Sequence, residues 1–327
     1  MASSVAKTLI TGGTGFIGSN LAEFLASRNA EICALVRNPD RLRYLSGLDV
    51  QPIPGDLFHI PDLPSSLEIV FHLAGLTKAL KSADYYMTNE RGTASLFESL
   101  ERQHLYPKVV ILSTLAACGP SAAGRPRRES DPPSPLTPYG ESKLFAEQEA
   151  LARKNRFRVT IIRVGGVYGP RDSDFLSYFK FVKSGILFSL GLRRKPMTVC
   201  YVKDLVRALD LAGRGDLESG EILNIGDAVP CSMDEIGGAA ALALRKKTLR
   251  ITVPMPIVFG ASLLYNAAAV LTGRPSTVNR DKYMEYKQPG WVADVTKAKE
   301  LLSFETKYSL EEGVRETIAW YRENGWL

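Results

Sequence analysis

Thr11-Gly12-Gly13-Thr14-Gly15-Phe16-Ile17-Gly18 lies between the apolar run Val5–Ile10 and the amphipathic stretch Ser19–Arg28. Glycines spaced G-x-x-G-x-x-G at such a junction permit a tight turn from a strand into a helix beginning near Phe16. They also let backbone N–H groups approach a pyrophosphate, which then rests at the positive end of that helix.

Working outward, the apolar runs Ile32–Val36, Ile69–His72, Val109–Leu112 and Val159–Arg163 have strand length. Amphipathic stretches such as Thr93–Arg102 separate several of them. Apolar strand, helix, apolar strand at this spacing predicts an α/β protein with a doubly wound parallel sheet, a Rossmann fold. Beyond Gly169-Pro170 the alternation weakens, and strands are expected only at about Met197–Val202, Ile222–Ile225 and Ile251–Val253. The expected division is a dinucleotide-binding domain over 1–170, with returning segments near 198–228, and a smaller, mostly helical, mainly substrate-binding domain over 171–327. Gly119–Pro138, rich in Pro, Ser and Arg, reads as a substrate-side flap rather than a linker.

The 327 residues can bury a substantial core, and 45% apolar with 23% charged residues is ordinary for a globular protein. The net charge of +6 comes partly from Arg125-Pro126-Arg127-Arg128, Arg193-Arg194-Lys195 and Arg245-Lys246-Lys247. A scattered excess of this kind is solvated surface, so nucleic acid is not an expected partner. Cys33, Cys118, Cys200 and Cys231 form no C-x-x-C pair, and Met1–Lys7 shows no signal-peptide pattern. Free thiols in a reducing cytoplasm follow as the expectation. His59, His72 and His104 lack metal-ligand spacing, so no metal is expected.

A second motif is Tyr139-Gly140-Glu141-Ser142-Lys143, preceded by Thr137-Pro138, which reads as a helix start with Thr as N-cap and Pro at the first helical position. Tyr139 and Lys143 then share one helical face. A tyrosine of pKa about 10 is a poor base at neutral pH. An ammonium about 4 Å away contributes roughly 4 kcal/mol at an effective dielectric of 20, about three pK units, and makes Tyr139 a workable general acid/base.

Together and in this order, the two motifs resemble the extended short-chain dehydrogenase/reductase family, which includes NAD-dependent sugar epimerases and dehydratases. The resemblance runs through Arg163-Val164-Gly165-Gly166-Val167-Tyr168-Gly169-Pro170, Tyr201-Val202-Lys203-Asp204-Leu205 and Trp291-Val292-Ala293-Asp294. It implies a catalytic set of Thr114, Tyr139 and Lys143. Thr114 is reached by counting back from Gly119, and Ser113 is its neighbouring alternative. It further implies cofactor contacts from Gly12, Thr14, Gly15, Phe16, Ile17, Gly18, Arg37, Asp56, Leu57, Leu73, Ala74, Gly75, Thr77 and Asn89, together with Tyr139 and Lys143. Where NAD-using relatives place an Asp this chain has Val36, followed by Arg37. That resembles the Val-Arg of dihydroflavonol-reductase-like members and implies NADP, with NAD as the alternative. A homodimer is the family's usual state.

Departures from the sugar-nucleotide pattern bear on the substrate. Gly166 stands where those enzymes commonly have Asn, and Met197 where they place a diphosphate-binding Arg. Asp281–Gly290 replaces their second Arg-rich segment, although Arg193, Arg194 or Lys195 could substitute. In Pro254–Gly273, the stretch Ile257–Leu271 has only Ser262 and Asn266 as clearly polar side chains. It is too short for a confident membrane span, and suits a buried helix, the wall of an apolar pocket, or a peripheral membrane contact, as similar segments do in 3β-hydroxysteroid-dehydrogenase-like members. The resulting expectation is an NADP(H)-preferring oxidoreductase acting on a secondary alcohol or ketone of a fairly apolar small molecule. The alternatives are a nucleotide-sugar epimerase or dehydratase with tightly bound NAD, and a cofactor-binding subunit without catalysis.

Overall fold

The computed structural model of the chain describes residues 7–272 and 280–327, with side chains omitted for 266–270. Val5 and Ala6 of the first expected strand, and Gly273 of the apolar stretch, lie outside the described residues.

The chain begins with β1 (Lys7–Thr11), α1 (Phe16–Ala26), β2 (Glu31–Val36), β3 (Val50–Pro54) and β4 (Leu67–His72). It continues through α2 (Ser82–Tyr85), a π-helical turn (Tyr86–Arg91), α3 (Gly92–Arg102), β5 (Lys108–Thr114), α4 (Leu115–Cys118), α5 (Pro138–Leu151) and β6 (Val159–Val164). After these come β7 (Gly166–Tyr168), α6 (Asp174–Lys183), β8 (Ile186–Leu190), β9 (Val199–Tyr201), α7 (Val202–Arg214) and β10 (Glu221–Ile225). The last part holds α8 (Met233–Leu244), β11 (Leu249–Val253), α9 (Met255–Thr272), α10 (Arg280–Tyr286), α11 (Thr296–Leu302) and α12 (Leu310–Glu323).

Seven strands form one parallel sheet in the order β10-β6-β5-β4-β1-β2-β3. The order reverses between β1 and β4, and ligands of open α/β sheets bind outside the strand ends at that point. Alternation along each strand builds both layers. Leu9, Val70 and Val109 join Leu96, Phe97 and Leu100 of α3 on one face. Ile10, Phe71 and Val110 join Leu21 and Leu25 of α1 and Leu205 and Leu209 of α7 on the other. Each fully buried side chain of this size contributes roughly 1.5–3 kcal/mol, so both faces hold the sheet.

β10 lies beside β6 in this sheet, so Glu221–Ile225 pairs with a strand of the N-terminal part of the chain. β3 was not foreseen, because Val50-Gln51-Pro52-Ile53-Pro54 carries two prolines. It is the edge strand, where a missing N–H costs no ladder bond. β8 and β7 were also missed; they pair in two-stranded sheets with β11 and β9. The expected strand Met197–Val202 shortens to Val199–Tyr201, because α7 begins at Val202.

The flap reading of Gly119–Pro138 is corrected by its hydrogen bonds. Arg127 N donates to Val292 O (2.8 Å) and Asp294 N to Arg127 O (2.8 Å), a strand-like pairing with the C-terminal segment. Ser121 N donates to Gly290 O (3.1 Å), and its Oγ accepts from Val292 N (3.0 Å). Glu129 accepts from Asn224 N (2.8 Å). The segment is strapped down by partners that are distant in sequence.

Candidate active site

The glycine turn forms as the spacing requires. Gly12 sits at φ +73, and a Cβ there would lie 2.7 Å from Ala74 N. A Cβ on Gly18 would lie 2.2 Å from Gly12 O. Gly15 N donates to Gly12 O (3.0 Å), and Gly15 caps α1 without a side-chain acceptor. The first N–H groups of α1 therefore have no side-chain cap at an open turn, an arrangement suited to an anion. Gly15 itself is exposed, and Thr14, Phe16 and Ile17 are half-buried around it.

β1 and β4 end side by side, with Thr11 opposite His72. A chain of hydrogen bonds joins them. Ala74 N donates to Thr11 Oγ1 (3.2 Å), which pairs with His72 Nδ1 (2.8 Å). His72 Nε2 pairs with Thr93 Oγ1 (3.0 Å), which donates to Asn89 O (2.6 Å). Because the Thr93 proton is committed, Nε2 must carry the imidazole proton and Nδ1 must accept. Burial, assisted by the Lys143 charge, lowers the His72 pKa to about 3. This histidine was not singled out as a site residue; its place at the end of an apolar strand was the available signal.

Asn89 sits in the π-helical turn and is buried. Its Oδ1 accepts from Leu76 N (2.7 Å), and its Nδ2 donates to Leu76 O (3.1 Å) and Ser142 Oγ (2.9 Å). Asn89 thereby fastens the segment carrying Leu73, Ala74, Gly75 and Thr77 to α5. A Cβ on Gly75 would lie 3.1 Å from Asn89 Oδ1 and 3.8 Å from Lys143 Nζ, so these three residues converge. Thr77 itself is exposed.

α5 starts as its sequence predicts, with Thr137 Oγ1 accepting from Gly140 N (3.1 Å) and Pro138 in the first turn. Tyr139 is hydrogen-bonded to Thr114, which also accepts from Ala116 N (3.2 Å) at the end of β5. Ser113, the alternative to Thr114, instead donates to buried Glu147. Glu147 is paired with Arg163 (2.6 Å), both almost fully enclosed. The structure thus brings Thr114, Tyr139, Lys143, Asn89 and Gly75 together beside the glycine turn.

The expected electrostatics of the Tyr139–Lys143 pair differ. Lys143 Nζ donates to Leu112 O (2.7 Å), turned down toward β5. Burial lowers its pKa to about 8, with Glu147 acting the other way. Burial pushes Tyr139 up to about 12, against the pull of Lys282 and the Thr114 hydrogen bond. Desolvation of both groups outweighs the attraction that sequence spacing suggested.

At the other end of the cleft, Arg37 follows β2, is exposed, and makes no ion pair among the described residues. Gly55 N donates to Val36 O (2.9 Å), which sets Asp56 and Leu57 alongside. Asp56 Oδ1 accepts from Phe58 N (2.8 Å) and His59 N (2.9 Å), while Leu57 is buried. Arg37, Asp56 and Leu57 therefore stand apart from the Tyr139 group, at the ends of neighbouring strands. An open glycine turn, a cation beyond the second strand, and a lysine–asparagine group at the fifth fit an extended dinucleotide.

Parallel sheet, glycine turn and Tyr139 group define an NAD(P)-dependent enzyme of the Rossmann class. Residues 8–226 match the NAD dependent epimerase/dehydratase family, and the chain belongs to it. It is 26% identical to a ceramide reductase from Caulobacter vibrioides, over 97% of this chain and 95% of the relative. It is 27% identical to a UDP-N-acetyl-alpha-D-glucosaminuronate decarboxylase from Bacillus cytotoxicus, over 97% and 98%. The solved structure of MoeE5 in complex with UDP-glucuronic acid and NAD is similar with a TM-score of 0.75 and 26% identity, covering 98% of this chain and all of that one.

Proposed function

We propose that this enzyme transfers hydride between a nicotinamide and a secondary alcohol or ketone on a fairly apolar molecule, with NADP(H) preferred. The observation that carries the chemistry is the hydrogen-bonded Tyr139–Thr114 pair beside the glycine turn. A bound nicotinamide cofactor supplies the hydride. Thr114 holds the substrate oxygen at the end of β5, and Tyr139 gives it a proton in reduction or takes one in oxidation. Lys143 and Asn89, fixed between α5 and the segment after β4, hold the ribose end of the cofactor.

For the substrate, the support is that no Arg stands at Met197 and that two of the three possible substitute cations are engaged elsewhere, which leaves exposed Arg193. Met197 pairs through its backbone with Cys231 (2.7 and 3.0 Å). Arg194 is paired with Glu235 (3.0 Å), and Lys195 donates to Tyr286 O. α9 adds apolar surface: it buries Val258 and Ser262, while Ile257, Phe259, Leu263, Leu264 and Leu271 are exposed. No helix among the described residues is long and apolar enough to cross a membrane. With exposed Leu249 and Ile251 and the Arg245–Lys247 cluster just before it, this surface suits peripheral docking on an anionic bilayer. The relative named for reducing ceramide supports the same reading.

The second reading is a nucleotide-sugar epimerase or dehydratase. The family description, the decarboxylase and the UDP-sugar complex give it the broader support among relatives. A thermal-shift panel with NADPH present separates the two. Stabilisation by hydrophobic cyclic ketones or alcohols is expected, and a large shift from a UDP- or GDP-sugar alone would reverse the order. Cofactor choice is tested by Arg37→Ala, which should weaken NADPH selectively in calorimetry. Equal affinities for NADPH and NADH, unmoved by the substitution, would refute the preference.

A further inference from the structure

Tyr139, Lys143 and Glu147 follow one another at intervals of four on α5, so they share one face of the helix. Each is bonded to one of three consecutive residues at the end of β5. Tyr139 is hydrogen-bonded to Thr114, Lys143 Nζ donates to Leu112 O (2.7 Å), and Ser113 Oγ donates to Glu147. Backbone approaches closely here as well, since a Cβ on Gly140 would run into Ala116 O, just past Thr114. Glu147 is itself anchored from the neighbouring strand. Arg163 Nε donates to both carboxylate oxygens (3.0 and 3.2 Å), and its Nη2 donates to Oε2 (2.6 Å). Ser113 and Arg163 are register partners across β5 and β6, so one carboxylate ties both strands to α5. We propose that Glu147, acting through Ser113, is a positioning residue for the reaction: it sets the height of β5 against α5 and so aims the Thr114 hydroxyl at Tyr139, taken as the proton-transfer group proposed above.

Thr114 does not hold that place alone. β5 ends there and the chain turns into α4, and the hydroxyl's bond from Ala116 N (3.2 Å) is local to that turn. Pairing with Val164 fixes Thr114 within the sheet but not against the helix. The Leu112 rung hangs on the flexible four-carbon stem of Lys143, whereas a carboxylate between Ser113 and a planar guanidinium fork is a short, rigid clamp. Ser113, Glu147 and Arg163 are all buried, which shields these bonds from competing water. A buried ion pair stabilises a fold little better than well-packed apolar side chains would. What it gives here is direction, and a misplacement of about 1 Å can cost about a hundredfold in rate.

The test reads the phenol and needs no substrate. A trifluorinated tyrosine, acidic enough to titrate within the stable range of the fold, is installed at position 139 and followed by 19F NMR without cofactor. Thr114→Val removes the hydroxyl outright and should raise the midpoint by about one pH unit, because a hydrogen bond to the charged form is lost. Ser113→Ala leaves Thr114 and the Glu147–Arg163 pair in place, yet should give at least about half of that shift. Ser113→Thr returns a hydroxyl and should restore the midpoint. Glu147→Leu combined with Arg163→Met removes the pair without stranding a charge, and should shift the midpoint as Ser113→Ala does. NADPH affinity should survive in every variant. A wild-type midpoint in folded Ser113→Ala, judged by circular dichroism, overturns the proposal, as does a shift that Ser113→Thr fails to reverse. An unmoved midpoint in Thr114→Val also overturns it, because there would be no bond to aim. So does weakened NADPH binding with an unmoved midpoint, which would make the clamp part of the cofactor seat. A wrong substrate class leaves these titrations intact, whereas near-normal turnover of Tyr139→Phe would remove the underlying reading without moving them.

Discussion

Acidification should destabilise this fold through one histidine. His72 is enclosed between β1, β4 and α3, with its acceptor nitrogen filled by Thr11 and its proton used on Thr93. Its pKa falls from 6.5 to about 3, first through burial and then through Lys143. A depressed histidine pKa means the unfolded chain binds the extra proton first. The neutral ring's contribution is therefore complete above pH 6.5 and is lost as pH falls from there toward 3. At about pH 5 the loss amounts to about 2 kcal/mol, from one and a half pK units at 1.36 kcal/mol each. Urea unfolding of the wild type and of His72→Asn between about pH 7.5 and pH 5 reads the difference. The wild type should lose about 1.4 kcal/mol more per pH unit below the unfolded midpoint. The other histidines, His59 and His104, are exposed, so 15N NMR can follow the His72 ring separately. Parallel stability–pH curves, or a His72 ring that gains its second proton near pH 6.5, would refute the hydrogen-bond order assigned here.

Tyr139→Phe keeps the ring but removes the transferable proton, and turnover should drop by about two to four orders of magnitude with NADPH binding retained; a stopped-flow assay on any active substrate checks both. Gly18→Ala places a Cβ 2.2 Å from Gly12 O, backbone that cannot move aside, so NADPH affinity should fall at least about tenfold by calorimetry. Glu147→Ala strands the Arg163 guanidinium beneath the sheet and should cost about 3–5 kcal/mol in urea unfolding. A cost below 1 kcal/mol would mean that water or another acid reaches Arg163.

The sequence by itself determined what depends on short-range geometry. Glycine spacing set the turn before α1, strand-length apolar runs set the parallel sheet, and Thr137-Pro138 set the start of α5 so that Tyr139 and Lys143 share a face. β3 escaped notice because prolines tolerated at a sheet edge look like a loop. Distant partners decided the rest. Asp294 and Val292 bind down the segment around Arg127, Leu112 O captures Lys143, and Glu147 takes Ser113 and leaves Thr114 for Tyr139. Whether spacing four residues apart lowers a tyrosine's pKa depends on how much water both groups lose, and here desolvation dominates.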